Sequence, residues 1–117
     1  MSYVDGYVLP VKKDKIEDYR KLAELASQVW RDHGALEYVE CVAEDVKPGK
    51  VTSFPQAVQL QADETVVFAW IVYPSRADRD RINDAVMKDP RMAQPPTDMP
   101  FDPKRMFFGG FEVLVRR

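Results

Sequence analysis

Acids lie inside strand-like runs of this chain, among them Asp5 between aromatic neighbours in Tyr3-Val4-Asp5-Gly6-Tyr7 and Glu37 at the head of Glu37-Tyr38-Val39-Glu40. A carboxylate buried in a strand must be hydrogen-bonded, paired or protonated, so each needs a reason to be there. His33 is the single histidine, and its imidazole titrates near neutral pH. Asp5, His33 and Glu37 are therefore the candidate catalytic residues, the groups able to move protons. Arg105 enters the last strand after a proline-rich stretch, where it could clamp a carboxylate substrate or pair with an acid. Tyr3, Tyr7 and Trp70 are the candidate ligand-binding residues, with Phe68, Phe108 and Phe111 as further aromatic lining.

Each has a plainer reading. An imidazolium at a helix C-terminus favours the helix dipole, which suffices for His33. Aromatic residues dominate cores and interfaces without binding anything. Glu40 and Asp45 read as rim or salt-bridged positions. The alternating signs of Arg76, Asp78, Arg79, Asp80 and Arg81 read as a solvated, self-paired helix face. Cys41 reads as an inert buried thiol, and being the only cysteine it forms no internal disulfide. His-x-x-x-His and Cys-x-x-Cys spacings are missing, so no metal, haem or other cofactor is expected.

Composition narrows the class. The 117 residues suit one domain, 1–117; 45% are hydrophobic, enough for a core, and 31% are charged. Seventeen basic against nineteen acidic residues leave a net charge of −2, without the basic excess of a nucleic-acid surface. No apolar run approaches the roughly 20 residues of a membrane span. The start, MSYVDGYVLP, lacks a basic region ahead of an apolar one, so no secretory signal is expected and the cytoplasm is the expected location.

The elements follow from periodicity and punctuation. Tyr3–Leu9 alternates as a strand stopped by Pro10, with Val4, Gly6 and Val8 on one face and Tyr3, Asp5 and Tyr7 on the other. The small aliphatic face is expected under a helix, which would turn Asp5 toward the opposite face. Asp14 is the expected N-cap of a helix carrying Ile16, Tyr19, Ala23, Ala26 and Trp30, and Gly34 its C-terminal stop. Ala35–Val42 is the second strand. Ala43–Ala62 is an insertion in which Val51–Leu60 reads as an extra strand or extended arm. Thr65–Tyr73 is nearly unbroken apolar, the pattern of a strand buried on both faces. Ser75, with Asp78 three residues on, caps a second helix that ends at Asp89-Pro90. A stiff loop, Arg91–Lys104, leads to the last strand, Met106–Val115, where Gly109-Gly110 marks a bulge or a close approach.

Strand–helix–strand thus occurs twice, the pattern of an α+β ferredoxin-like sandwich (βαβ-βαβ) with an insertion between strands two and three. Covering both faces of the third strand requires something beyond one helix layer, and a second copy of the sheet is the simplest candidate. RNA-recognition domains share this topology, but their basic and glycine pattern is missing from Glu64–Trp70, so direct RNA binding is not expected.

The segments Tyr3-Val4-Asp5-Gly6, His33-Gly34-Ala35-Leu36-Glu37-Tyr38, Asp63-Glu64-Thr65-Val66-Val67-Phe68, Tyr73-Pro74-Ser75-Arg76, and Met99-Pro100-Phe101-Asp102 with Gly109-Gly110-Phe111 resemble the YbaA-like family of small bacterial proteins. The resemblance runs over essentially the whole chain. It implies the dimeric α/β-barrel superfamily, in which two protomers pair sheet to sheet as a homodimer, and it transfers no catalytic residues. The expectation is a homodimer binding a small organic molecule in a barrel pocket, as a cofactor-independent enzyme, as a ligand-binding or stress-response module, or as a structural interaction protein. Fold alone does not choose among these.

Overall fold

A computed structural model describes residues 2–93 and 95–117. Strand β1 spans Tyr3–Lys12, and a single 3-10 turn, Lys13–Lys15, leads into helix α1, Ile16–Asp32. Then come β2 (Glu37–Val42), a four-residue helix α2 (Phe54–Ala57), β3 (Glu64–Tyr73), α3 (Arg76–Lys88), a 3-10 turn (Pro90–Met92) and β4 (Phe107–Glu112). The strands form one antiparallel sheet in the order β2-β3-β1-β4. This is the ferredoxin-like arrangement, with the two longest strands at its centre; within one chain the sheet is open and does not close on itself.

Local chemistry explains most boundaries. At the end of α1, Gly34 (φ +116°) accepts the left-handed turn that a side chain would resist. Its N–H and that of Ala35 donate back to the Arg31 and Trp30 carbonyls, closing the helix. Ser75 caps α3, its Oγ accepting from the Asp78 N–H at 3.1 Å. Asp14 makes no such cap; it lies within the 3-10 turn before α1. Val51–Leu60 is neither strand nor extended arm. Ser53 caps α2 and Pro55 sits in its first turn, where a missing N–H costs nothing, so the proline starts a helix instead of interrupting a strand. Nor does Pro10 end β1, because β4 pairing stops at Val8–Phe107 and no rung is asked of it.

The faces of the sheet reverse one expectation. Tyr3, Asp5, Tyr7, Leu9 and Val11 lie under the helices, and Val4, Gly6 and Val8 point away. Bulk and charge decide this. The tyrosines fill the helix layer, and Asp5 finds a cation on α3. Gly110 continues the ladder opposite Asp5 without a bulge; a side chain there would collide with the Tyr3 ring, so Gly110 serves a close approach.

The core between helices and sheet contains Val29, Trp30, Ile71, Tyr73, Ile82 and Val86, continued by Leu9, Val11 and Val67. The outer face is covered only at one end, where Val58 of the insertion buries Val8 and Val66. In the middle of β3, Phe68 remains 42% exposed. The second covering layer anticipated for β3 is therefore partly supplied by the insertion. Cys41, on this face at the β2 edge, is exposed, because nothing in the chain packs over that edge.

Candidate functional site

Helix α1 does not close down on the sheet. Ala23 and Ala26 face inward, and Ala69 answers from β3, so small side chains stand where leucines would fill the gap. A cavity of about 290 Å³ results. Its floor is Tyr7, Leu9, Ala69 and Ile71, its side wall Leu22, Ala26 and Trp30, and its cover Met92, Pro95, Pro96, Met99 and Phe101. The cover belongs to the stretch before β4, which is pinned by the Val11–Phe101 bridge and by the Lys12 N–H donating to the Pro100 carbonyl at 3.2 Å.

The polar wall of this cavity is built around Glu40. Alternation along β2 puts Tyr38 and Glu40 on the helix face. The Tyr38 hydroxyl donates to Glu40 Oε2 at 2.7 Å, and the Tyr19 hydroxyl, reaching from α1, donates to Oε1. Burial, then the Glu40 charge and hydrogen bond, push both phenols far above their ordinary pKa, so they stay protonated donors. Behind this wall a second hollow of about 280 Å³ opens between α1 and the β2 edge, lined by Arg20, Ser27, Cys41 and Val42. Tyr19, Ala23, Tyr38 and Glu40 border both spaces.

Tyr7 completes the floor, its ring stacked on Phe108 with centroids 5.5 Å apart. Burial first, then the Asp5 charge, raise its pKa well above the usual phenol value. From Trp30 a polar network runs on beneath α3. The indole N–H donates to Tyr73 Oη at 3.1 Å and Asn83 Oδ1 at 3.0 Å, and the Tyr73 hydroxyl donates to the same Asn83 oxygen at 3.2 Å. Asn83 Nδ2 lies 3.5 Å from Asp5 Oδ2, and Arg79 Nη1 donates to Asp5 Oδ1 at 2.8 Å. The Arg79 guanidinium also sits 4.9 Å over the Tyr3 ring. Its Nε is 2.9 Å from Asp80 Oδ1, near enough for charge attraction, but the N–H is not aimed at it, so this buried donor lacks a hydrogen bond.

The residues singled out from sequence do not converge. Asp5 is 1% exposed and is the anionic half of a buried ion pair under α3; its cation is Arg79, not Arg105, and it does not face a sheet-to-sheet interior. His33 caps the far end of α1 and bonds Asp89 through Nε2 at 2.8 Å, while Arg91 and then His33 hold the Asp89 carboxyl far below the usual carboxylate range. Glu37 is exposed on the outer face opposite Val72. Trp70 is on that face too, 5.6 Å from Phe68, whereas Tyr3, Tyr7 and Phe108 are on the helix face, so the six aromatics form no single pocket. Arg105 makes a bidentate pair with buried Glu64 at 2.7 and 2.6 Å and bonds Asp102 at 2.8 Å and the Gln59 carbonyl at 3.1 Å. It staples the insertion to the β4 side and has no donor directed at the cavity. Of the seven, Tyr7 alone belongs to the helix-side cavity floor.

Sequence reasoning missed Glu40, Tyr19, Tyr38 and Arg79. A signal existed for Arg79, since Arg79, Ile82, Asn83 and Val86 follow one helix stripe, so this arginine could not share the solvated face of Arg76 and Arg81. Nothing in the sequence pairs Tyr19 with Glu40, because a helix–strand contact across that distance is purely tertiary. Among the described residues, no three His, Cys, Asp or Glu side chains gather as metal donors would, and no helix is long and apolar enough to cross a membrane.

Known proteins resemble this chain over nearly all of its length and theirs. It is 50% identical to the uncharacterized protein YbaA of Escherichia coli strain K12 over 115 residues, 98% of each chain, and to the same degree to YbaA of Shigella flexneri. Among solved structures, a dimeric ferredoxin-like protein from an uncultured marine organism superposes with a TM-score of 0.59, covering 100% of both chains at 11% identity, a likeness of fold alone. The family model described as a protein of unknown function, DUF1428, matches residues 2–103. The chain belongs to the DUF1428 family, and it matches YbaA over 98% of each chain.

Proposed function

We propose that this protein binds a small, largely apolar organic molecule in the cavity between α1 and the sheet. One observation carries the reading: an apolar hollow of about 290 Å³, lined by phenols and by the Glu40 carboxylate they hold in place. Concave apolar sites with a few oriented polar groups are the usual form of a ligand site. Trp30 in its wall supplies a signal. Neutral one- and two-ring aromatics are expected to change tryptophan emission in the wild type, and Ala26→Phe, which fills the hollow, is expected to abolish that response while leaving the melting temperature equal or higher. A folded Ala26→Phe protein that binds as well as wild type removes the reading.

We also propose that the protein works as a homodimer joined through the outer face of the sheet. What supports this is the aromatic surface left there, Phe68, Phe107 and Phe111 at 42, 45 and 63% exposure around Trp70, together with the dimeric state named for the structural neighbour. Sedimentation at micromolar concentration is expected to give twice the 13.5 kDa chain mass. Phe68→Lys with Phe111→Lys is expected to give a folded monomer. A wild type that stays folded as a monomer overturns the proposal.

A further inference from the structure

Resting on the reading of the cavity as a binding site, we propose that its occupant is a neutral molecule with a ketone or aldehyde carbonyl on an apolar body, held by a hydrogen bond from Tyr7. The argument is an inventory of donors and charges. A tyrosine hydroxyl has one proton to donate. Those of Tyr19 and Tyr38 go to Glu40, and the Trp30 N–H goes to Tyr73 and Asn83. The Tyr7 hydroxyl donates to no described residue, and burial and neighbouring charges, without a hydrogen bond, account for its raised pKa. Among the described residues the only fully enclosed side-chain polar atom without a partner is Arg79 Nε, so the Tyr7 hydroxyl is not sealed off, and Tyr7 is one of the residues that line the cavity. A ligand seated there meets one unspent donor and must accept from it.

Charge excludes the anionic acceptors. Glu40 is in the wall, and Asp5 lies on the same strand face as Tyr7. The nearby cations are taken: Arg79 pairs with Asp5, and Arg91, at the cavity edge, bonds Asp89 at 3.0 and 2.8 Å and Asp32 at 2.7 Å. A carboxylate entering the hollow would lose its water without gaining a counter-ion. The phenol stays protonated through neutral pH, as a donor must, and the Leu9, Ile71 and Met106 side chains suit a hydrocarbon body.

Calorimetry with four molecules of one size, acetophenone, ethylbenzene, benzoate and 1-phenylethylammonium, tests this on wild type and on Tyr7→Phe. The wild type is expected to bind acetophenone about tenfold more tightly than ethylbenzene, the effect of one net hydrogen bond, and not to bind benzoate measurably; the ammonium measures how far the Glu40 charge competes with the Tyr7 donor. Tyr7→Phe is expected to bring acetophenone down to the ethylbenzene affinity while leaving ethylbenzene unchanged. Equal wild-type affinity for ketone and hydrocarbon, a tighter ion, or a ketone preference that survives Tyr7→Phe overturns the proposal while leaving the cavity reading standing. Binding of none of the four overturns both.

Discussion

Replacing Arg79 by alanine is expected to destabilise the fold by about 3–5 kcal/mol, the cost of leaving one member of a buried ion pair behind. Asp5 is 1% exposed, and its strongest partner is the Arg79 guanidinium at 2.8 Å; Asn83 is at the limit of hydrogen-bonding distance, 3.5 Å. With Arg79 gone, the carboxylate keeps no charged partner, in a layer packed by Tyr3, Tyr73 and Ile82. Asp5→Asn is expected to cost less, about 1–3 kcal/mol, because the Arg79 side chain is 19% exposed and retains Asp80. The double variant Asp5→Leu with Arg79→Met removes both charges and is expected to recover much of the loss, since apolar pairs replace buried ion pairs at little cost. Urea unfolding of the three proteins measures all of this. An Arg79→Ala protein within about 1 kcal/mol of wild type would mean that water or another donor reaches Asp5.

The second large effect belongs to Arg105. Glu64 is 4% exposed, accepts both Arg105 Nη donors and takes a third bond from the Gln61 N–H at 2.9 Å. These bonds, the Arg105 pair first, hold its carboxyl below its ordinary value. A carboxylate with a depressed folded pKa adds stability that is fully present above its unfolded pKa of about 4.3 and is lost as the pH falls through the folded value. Wild-type stability is therefore expected to decline on acidification below about pH 4.3. Arg105→Ala is expected to flatten that part of the profile and to cost about 3–5 kcal/mol at neutral pH. It is also expected to loosen the insertion, because Arg105 bonds the Gln59 carbonyl and, through Glu64, the start of β3. Thermal melts from pH 7 to pH 3 on both proteins measure it. Parallel profiles would show that Glu64 is held by its other partners.

How far the fold could be read ahead depended on how local each signal was. Ser75 and Gly34 act within a few residues, so cap and stop were legible. Asp14 has the right side chain for a cap, but the chain leaves β1 through a 3-10 turn and the cap geometry never forms. The insertion misled because Val51, Phe54 and Val58 have strand-like types, while Ser53 and Pro55 have the positions of a helix start. The face of Asp5 was misassigned by treating small aliphatic residues as the ones a helix covers. The bulky tyrosines were the better guide, since filling the layer requires volume.

Hydrophobic periodicity, caps and glycine positions determined by themselves the twice-repeated strand–helix–strand pattern and the ferredoxin-like class, because each is encoded in neighbouring residues. Only the tertiary structure decided the site. Whether Ala23, Ala26 and Ala69 leave a hollow or are closed over depends on how far α1 stands from the sheet. Whether Glu40 is a rim charge or the centre of a tyrosine pair depends on Tyr19 arriving from another element. Asp5 and Arg79 likewise meet across 74 residues of chain. Such contacts are governed by packing between elements, and no spacing in the sequence specifies that.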